Sequence, residues 1–306
     1  MGGLLRSRLF WVAAVALAVA ALLPLDVSGY VLGLLTIAYY FGVFAMSWDL
    51  LFGFAGEVNF GPTFLVGLGA YGAGILNSQT GLPIPICVLF GAALAVVGGL
   101  LLAVPALRLS GPYFGLITLV AVLLLQQMVT VFAHYSGGEI GLTIPDVLSI
   151  DETTNYYIAL GFMAFSGLVL FGLSRSALGL ILQACGQDPV EAQALGFNVA
   201  KHKLAAFCVS ALFSGLAGAM LIFYLGTASP GTVIDIAVGV QVIIAAVLGG
   251  RRTIIGAAVG AVVLIVAGEA LRPLGQLSTF IVSAVALLAI LLMPSGVLGV
   301  LLRERQ

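Results

Sequence analysis

The chain has 306 residues, of which 62% are hydrophobic and only 8% charged (11 Lys+Arg against 12 Asp+Glu), for a net charge of −1. An average soluble domain carries about 25% charged residues, and a globule of this size with so few could not cover its surface. Soluble enzyme, disulfide-stapled secreted scaffold and nucleic-acid binder are therefore excluded. The composition is that of an all-α polytopic membrane protein, and the apolar runs are too long and continuous for the alternating strands of a β-barrel. Cys87, Cys185 and Cys208 lie far apart without a CxxC, so neither metal binding nor a disulfide framework is implied.

A charge at mid-bilayer costs several kcal/mol, so charge-free runs locate the spans. With about 20 residues needed per crossing, the sequence predicts segments at 9–25, 30–52, 60–77, 84–105, 113–134, 155–173, 203–225, 237–250, 254–271 and 275–293. The first follows Arg6 and Arg8 and holds Ala18-Val19-Ala20 in the manner of a signal peptide. That Ala-x-Ala lies inside the apolar run rather than after it, so the segment is read as a span. Asn77-Ser78-Gln79-Thr80-Gly81-Leu82-Pro83 is turn chemistry that divides the third segment from the fourth. The eighth, at 237–250, is short for a full crossing and is read as broken or re-entrant.

About ten membrane segments place both termini on one side. Arg6, Arg8, Arg108, Arg175, Lys201, Lys203, Arg251, Arg252, Arg303 and Arg305 all fall there, leaving only Arg272 of the 11 basic residues opposite. Both termini are therefore expected to be cytoplasmic. The external loop 135–154 carries Glu139, Asp146, Asp151 and Glu152 without Lys or Arg. Neither it nor the cytoplasmic segment 174–203 is long enough for a core of its own, so residues 1–306 read as a single transmembrane domain.

The chain has no GxxxxGK[ST], and its two histidines, His134 and His202, are accompanied by no HExxH or carboxylate pair. It is not expected to be an enzyme, and no cofactor is expected in it. Three segments remain as functional candidates. In 174–203, Asp188-Pro189-Val190-Glu191 reads as a helix start with Asp as N-cap and Pro at the first helical position. Ala192-Gln193-Ala194-Leu195 continues it and Gly196 stops it. Two turns are too few for stability in water, so this helix packs either on its own bundle or on a cytoplasmic partner.

The second candidate is Gly53 to Pro62. Three glycines and a proline in ten residues break a helix, and Asp49, Glu57 and Asn59 surround the break. Polar groups at such breaks line substrate paths, giving Asp49, Gly53, Gly56, Glu57, Asn59 and Gly61 as path residues; an ordinary cytoplasmic turn is the alternative. The third is Leu248-Gly249-Gly250-Arg251-Arg252-Thr253, a second break whose arginines fit cytoplasmic water equally well. Gly67, Gly69, Gly72, Gly74, Gly215 and Gly218 are read as helix-packing positions.

These residues resemble the LivM-type permease subunits of the branched-chain amino acid ABC importers, over nearly all of 30–300. Gly53-Phe54-Ala55-Gly56 through Gly61, followed by Gly67-Leu68-Gly69-Ala70-Tyr71, is similar to the family's GYAGxxSxGxxxFxGxGAY signature. Arg108 to Phe114, Gly137-Gly138 with Gly141-Leu142, Leu248-Gly249-Gly250 and Pro294 to Gly299 resemble further family elements in the same order. Ala184 to Lys203 resembles its cytoplasmic coupling loop. The chain departs from the pattern at Asn59 (usually Ser), Pro62 (commonly His) and Arg252 (commonly Gly).

The resemblance implies an importer of branched-chain or other hydrophobic amino acids in the plasma (inner) membrane. Its implied partners are a homologous second permease, two cytoplasmic ATPases that hold ATP and Mg, an external substrate-binding protein and the lipid bilayer. Asp188, Pro189, Glu191, Ala192, Ala194, Leu195 and Gly196 would then form the ATPase-coupling helix. Relatives for urea, amides or aromatic acids keep the substrate open. A stand-alone secondary transporter or channel is the competing class, with Asp49, Glu57 or Glu269 as ion-coupling carboxylates. An intramembrane enzyme finds no nucleophile–base pair.

Overall fold

The computed structural model describes residues 8–25, 27, 29–107, 112–275, 277 and 284. In chain order the helices are α1 (Arg8–Leu22), α2 (Gly29–Asp49, continued by a π-turn over Leu50–Phe54), α3 (Pro62–Thr80), α4 (Ile84–Ala106) and α5 (Pro112–Val131). After the one-turn α6 (Ala133–Ser136) come α7 (Glu152–Ser174), α8 (Ala177–Gln187), α9 (Pro189–Ala194) and α10 (Val199–Leu225). The short α11 (Pro230–Val233), then α12 (Ile236–Gly249) and α13 (Ile255–Ala270), complete the described helices.

Helices thus coincide with the first nine predicted segments. The tenth, 275–293, falls almost wholly outside the described residues, as do Arg6, Arg108 to Gly111, Pro294 to Gly299, Arg303 and Arg305. By length and apolar composition, six helical segments among the described residues are fit to cross a membrane: 29–54, 84–106, 113–131, 152–174, 199–225 and 230–249. The predicted break at Gly53 starts two residues later. The helix runs through Gly53 and Phe54 by widening into the π-turn, which keeps its backbone hydrogen-bonded until Ala55.

α2 is the centre of the bundle, surrounded by α7, α10, α12 and α13. Its Tyr39, Tyr40, Phe44 and Trp48 are therefore buried although nearly the whole helix is apolar. A second unit packs α3, α4 and α10 against one another. Gly69 and Gly215 meet backbone to backbone there, an approach that any side chain would block. α1 is tied to α7 by the Tyr156 and Tyr157 hydroxyls, which donate to the Ala20 and Ala21 carbonyls.

The loop before α7 folds over the end of α10. β1 (Leu142–Thr143) pairs antiparallel with β2 (Thr227–Ala228), Leu142 opposite Ala228 and Thr143 opposite Thr227. Asn77 Nδ2 donates to Asp146 at 2.8 Å, fixing the same loop to the end of α3. Asp151 caps α7 by accepting from the Thr154 hydroxyl and N–H, which holds its carboxyl below the usual range.

α12 begins deep in the molecule, because Ile234, just before it, packs on Gly67 of α3. Gly67 stands thirteen residues before Thr80, so at 1.5 Å per residue α12 starts about 20 Å short of the end of α3. α12 itself is 14 residues long, but with α11 before it the stretch 230–249 is long and apolar enough to cross a membrane.

Candidate functional site

Asp49 closes α2 and is 1% exposed. Its Oδ1 accepts from the Arg252 N–H at 3.0 Å, and its Oδ2 from the N–H groups of Thr253 at 3.1 Å and Ile254 at 3.0 Å. Three successive amides can converge on one carboxylate only if the chain curls tightly, and Arg252 and Ile254 both take positive φ, 65° and 49°. The N–H of Ile255 closes a γ-turn on the Thr253 carbonyl. A β-branched residue in that conformation is strained, and the charge-assisted bonds from Asp49 offset the strain.

Arg252 answers in the other direction, its Nε donating to the Gly53 carbonyl at 2.7 Å. The Arg251 guanidinium lies 4.5 Å from the centroid of the Phe52 ring. The two breaks expected separately from the sequence are thus one structure. The positive φ at Arg252 is one that glycine adopts freely, and arginine adopts it here while gaining the bond to Gly53.

Beyond Phe54 the chain turns back toward α3. Gly56, at φ 74°, faces Gly186 in the last turn of α8. A methyl group on Gly56 would stand 2.8 Å from the Gly186 carbonyl oxygen, and one on Gly186 2.7 Å from that of Phe54. Next to this contact Lys203 Nζ donates to Glu57 Oε1 at 2.6 Å, with the two side chains only 13% and 15% exposed. Asn59 accepts from the Trp48 indole through its carbonyl at 2.7 Å and from the Gly61 N–H through its side chain at 2.8 Å. The Phe60 N–H donates to the Thr118 hydroxyl of α5 at 3.0 Å, and Gly61 abuts the Thr118 backbone.

Asp49, Gly53, Gly56, Glu57, Asn59 and Gly61 therefore come together, in a junction filled by protein. The sequence left these residues as either an open path or a plain turn. In this conformation Asp49 and Gly53 are met by the α12–α13 turn, Gly56 by α8, Glu57 by α10 and Gly61 by α5, while Asn59 is bonded to Trp48 of α2 and to Gly61.

The cytoplasmic-segment expectations have clear geometry. Asp188 Oδ1 accepts from the N–H groups of Val190 at 2.9 Å and Glu191 at 3.0 Å, and Pro189 occupies the first helical position. Gly196, at φ 91°, stops α9 in a Schellman motif: its N–H reaches the Gln193 carbonyl and that of Phe197 reaches Ala192. Ala192 faces inward onto a small cluster with Cys185 and Val199, flanked by Ile181 and Phe197. Burial there pushes the Cys185 thiol up from its ordinary value. Outward, Val190 and Leu195 are 76% and 75% exposed, alongside exposed Glu191 and Ala194.

Two residues escaped the sequence analysis. Lys203 was counted among the basic residues on the cytoplasmic side, and nothing local reveals a partner 146 positions away. Asp235 is the single charge between Lys203 and Arg251. It caps α12 through the Ala237 N–H at 2.7 Å and stays half-buried, near the partly exposed Ser229 and the exposed Thr232. A lone acid interrupting a charge-free run after Ser-Pro-Gly-Thr was the signal available for it.

A bundle of long apolar helices with broken segments, tied at one end to an exposed capped helix, has the build of a polytopic membrane protein. Residues 30–294 match the family described as "Branched-chain amino acid transport system / permease component", and the chain belongs to that family. It is similar to the high-affinity branched-chain amino acid transport system permease protein LivM of Escherichia coli strain K12, 27% identical over 97% of this chain and 76% of that protein. The corresponding permease BraD of Pseudomonas aeruginosa is 26% identical over 87% of this chain and 93% of its own length. LivH of Salmonella typhimurium is 34% identical over 142 residues, 45% of this chain and 44% of that protein. No solved structure matches the chain.

Proposed function

We propose that this chain is the transmembrane permease subunit of an ABC importer that moves branched-chain or other hydrophobic amino acids inward by ATP-driven alternating access. It works beside a homologous second permease, between an external substrate-binding protein and two cytoplasmic ATPases. ATP and Mg belong to those ATPases, and this subunit is not itself an enzyme. The full chain is one permease domain in the plasma membrane. It has about ten membrane segments, cytoplasmic termini, an external loop at 135–154 and a coupling loop at 174–203. Family membership and the relatives named above support this.

The observation that carries the coupling role is α9. Six residues cannot hold a helix in water by themselves, and here two caps and the buried Ala192 hold it. What it presents outward is apolar, Val190 and Leu195, beside the acid Glu191. Such a helix fits a groove on a partner's surface, and a shift of that partner is passed to the bundle as a rigid-body movement. The substrate path in this reading passes the break at 53–61 at its inner end.

Glu191→Lys is expected to abolish uptake of radiolabelled leucine in membrane vesicles, with normal amounts of the subunit inserted. Wild-type uptake by that variant would contradict the coupling role of α9. Competition by urea, short amides or aromatic acids in the same assay separates the other substrate classes.

A further inference from the structure

The segment between Gly186 and Lys203, which carries α9, is anchored at both stems on the same two residues of the α2–α3 break. At the first stem, Gly186 lies against Gly56 with no room for a side chain on either. At the second, Lys203 in the first turn of α10 holds Glu57. We propose that Gly56–Gly186 and Glu57–Lys203 form a joint that delivers movement of α9 to the start of α3. The inference rests on the coupling role of α9 proposed above.

The joint has little slack on either side. Asp188 is at once the residue that ends α8, its N–H on the Ala184 carbonyl, and the N-cap of α9. A displaced α9 therefore carries Gly186, three residues before its first turn. Between Gly56 and Pro62 the chain is held by the Trp48–Asn59, Asn59–Gly61 and Phe60–Thr118 bonds. A push at Gly56 is thus passed to α3 and α5 together.

The ion pair supplies the return stroke. Two charges largely shielded from water attract more strongly than a surface pair, and removing one partner leaves the other uncompensated. When the cytoplasmic segment moves away, Lys203 draws Glu57 with it, whereas the glycine contact alone transmits only a push. Glu57 and Lys203 are in this sense positioning residues.

The test uses the complete importer in proteoliposomes, measuring leucine uptake and ATP hydrolysis together. Glu57→Lys and Lys203→Glu are each expected to raise ATP hydrolysed per leucine moved by at least about tenfold, and the double swap Glu57→Lys with Lys203→Glu to recover most of the loss. Gly186→Ala is expected to uncouple in the same way with no change of charge. Equal recovery in the amount of assembled complex separates uncoupling from misfolding. Wild-type coupling in both single variants, or a double swap no better than either, would overturn the joint. Wild-type complex unable to move leucine with ATP would overturn the proposed function and the joint with it. Wild-type uptake with indifferent single variants overturns the joint alone.

Discussion

Asp49 shows how much one side chain can organise. Its carboxylate is buried at the end of an apolar helix, where an unpaired charge would be strongly destabilising. Three backbone amides from a turn some 200 residues later satisfy it. The turn in return depends on the carboxylate, because the amides of Arg252, Thr253 and Ile254 have converged on it. Asp49→Ala leaves those donors buried and unpaired at about 1–3 kcal/mol each. The purified subunit should then lose several degrees of thermal midpoint in detergent, with Asp49→Asn intermediate. An unchanged midpoint in Asp49→Ala would show that the turn holds itself.

Among the elements, α9 was legible in the sequence almost to the residue. Its signals are local: an aspartate cap, a proline at the first turn and a glycine at the stop. The structure has all three, with Gly196 at φ 91°. Gly196→Pro replaces that conformation by one fixed near −65° and removes the N–H bonded to Gln193. Limited proteolysis should then cut within 188–197 at least about ten times faster than in wild type, since local opening governs cleavage there. An unchanged cleavage rate would mean that Ala192 and its cluster hold α9 without the stop.

Helix positions were equally readable from charge-free runs, since a membrane penalises charge wherever it falls. The joining of the two breaks was not. Each break announces itself by glycines, but nothing in either names the other. The bonds that unite them run through backbone amides, which every sequence has. Gly186 likewise carries no mark of its partner, and its significance emerges only when Gly56 is brought against it. The sequence named the six residues as a path or a turn from the break itself, and could not name the groups from other helices that meet them.

At the scale of the whole molecule, a central α2 and the α3–α4–α10 unit are linked at their inner end by the 53–61 junction. α2 also packs directly on α10, and α8, which precedes α9, meets the junction at Gly186. The outer surface of α5 is mostly apolar, with Leu116, Val120, Leu123, Leu124 and Val131 exposed and Gln127 the exposed polar residue among them. Lipid or the second permease suits such a face, whereas water does not.

The most direct test of that account is reconstitution of leucine uptake into proteoliposomes, comparing this chain alone with the chain plus a second permease, ATPase subunits and binding protein. The account predicts uptake only from the full set, dependent on internal or external ATP according to ATPase orientation and indifferent to ion gradients. Uptake by the chain alone, driven by a proton or sodium gradient, would contradict it and establish the secondary-transporter class instead.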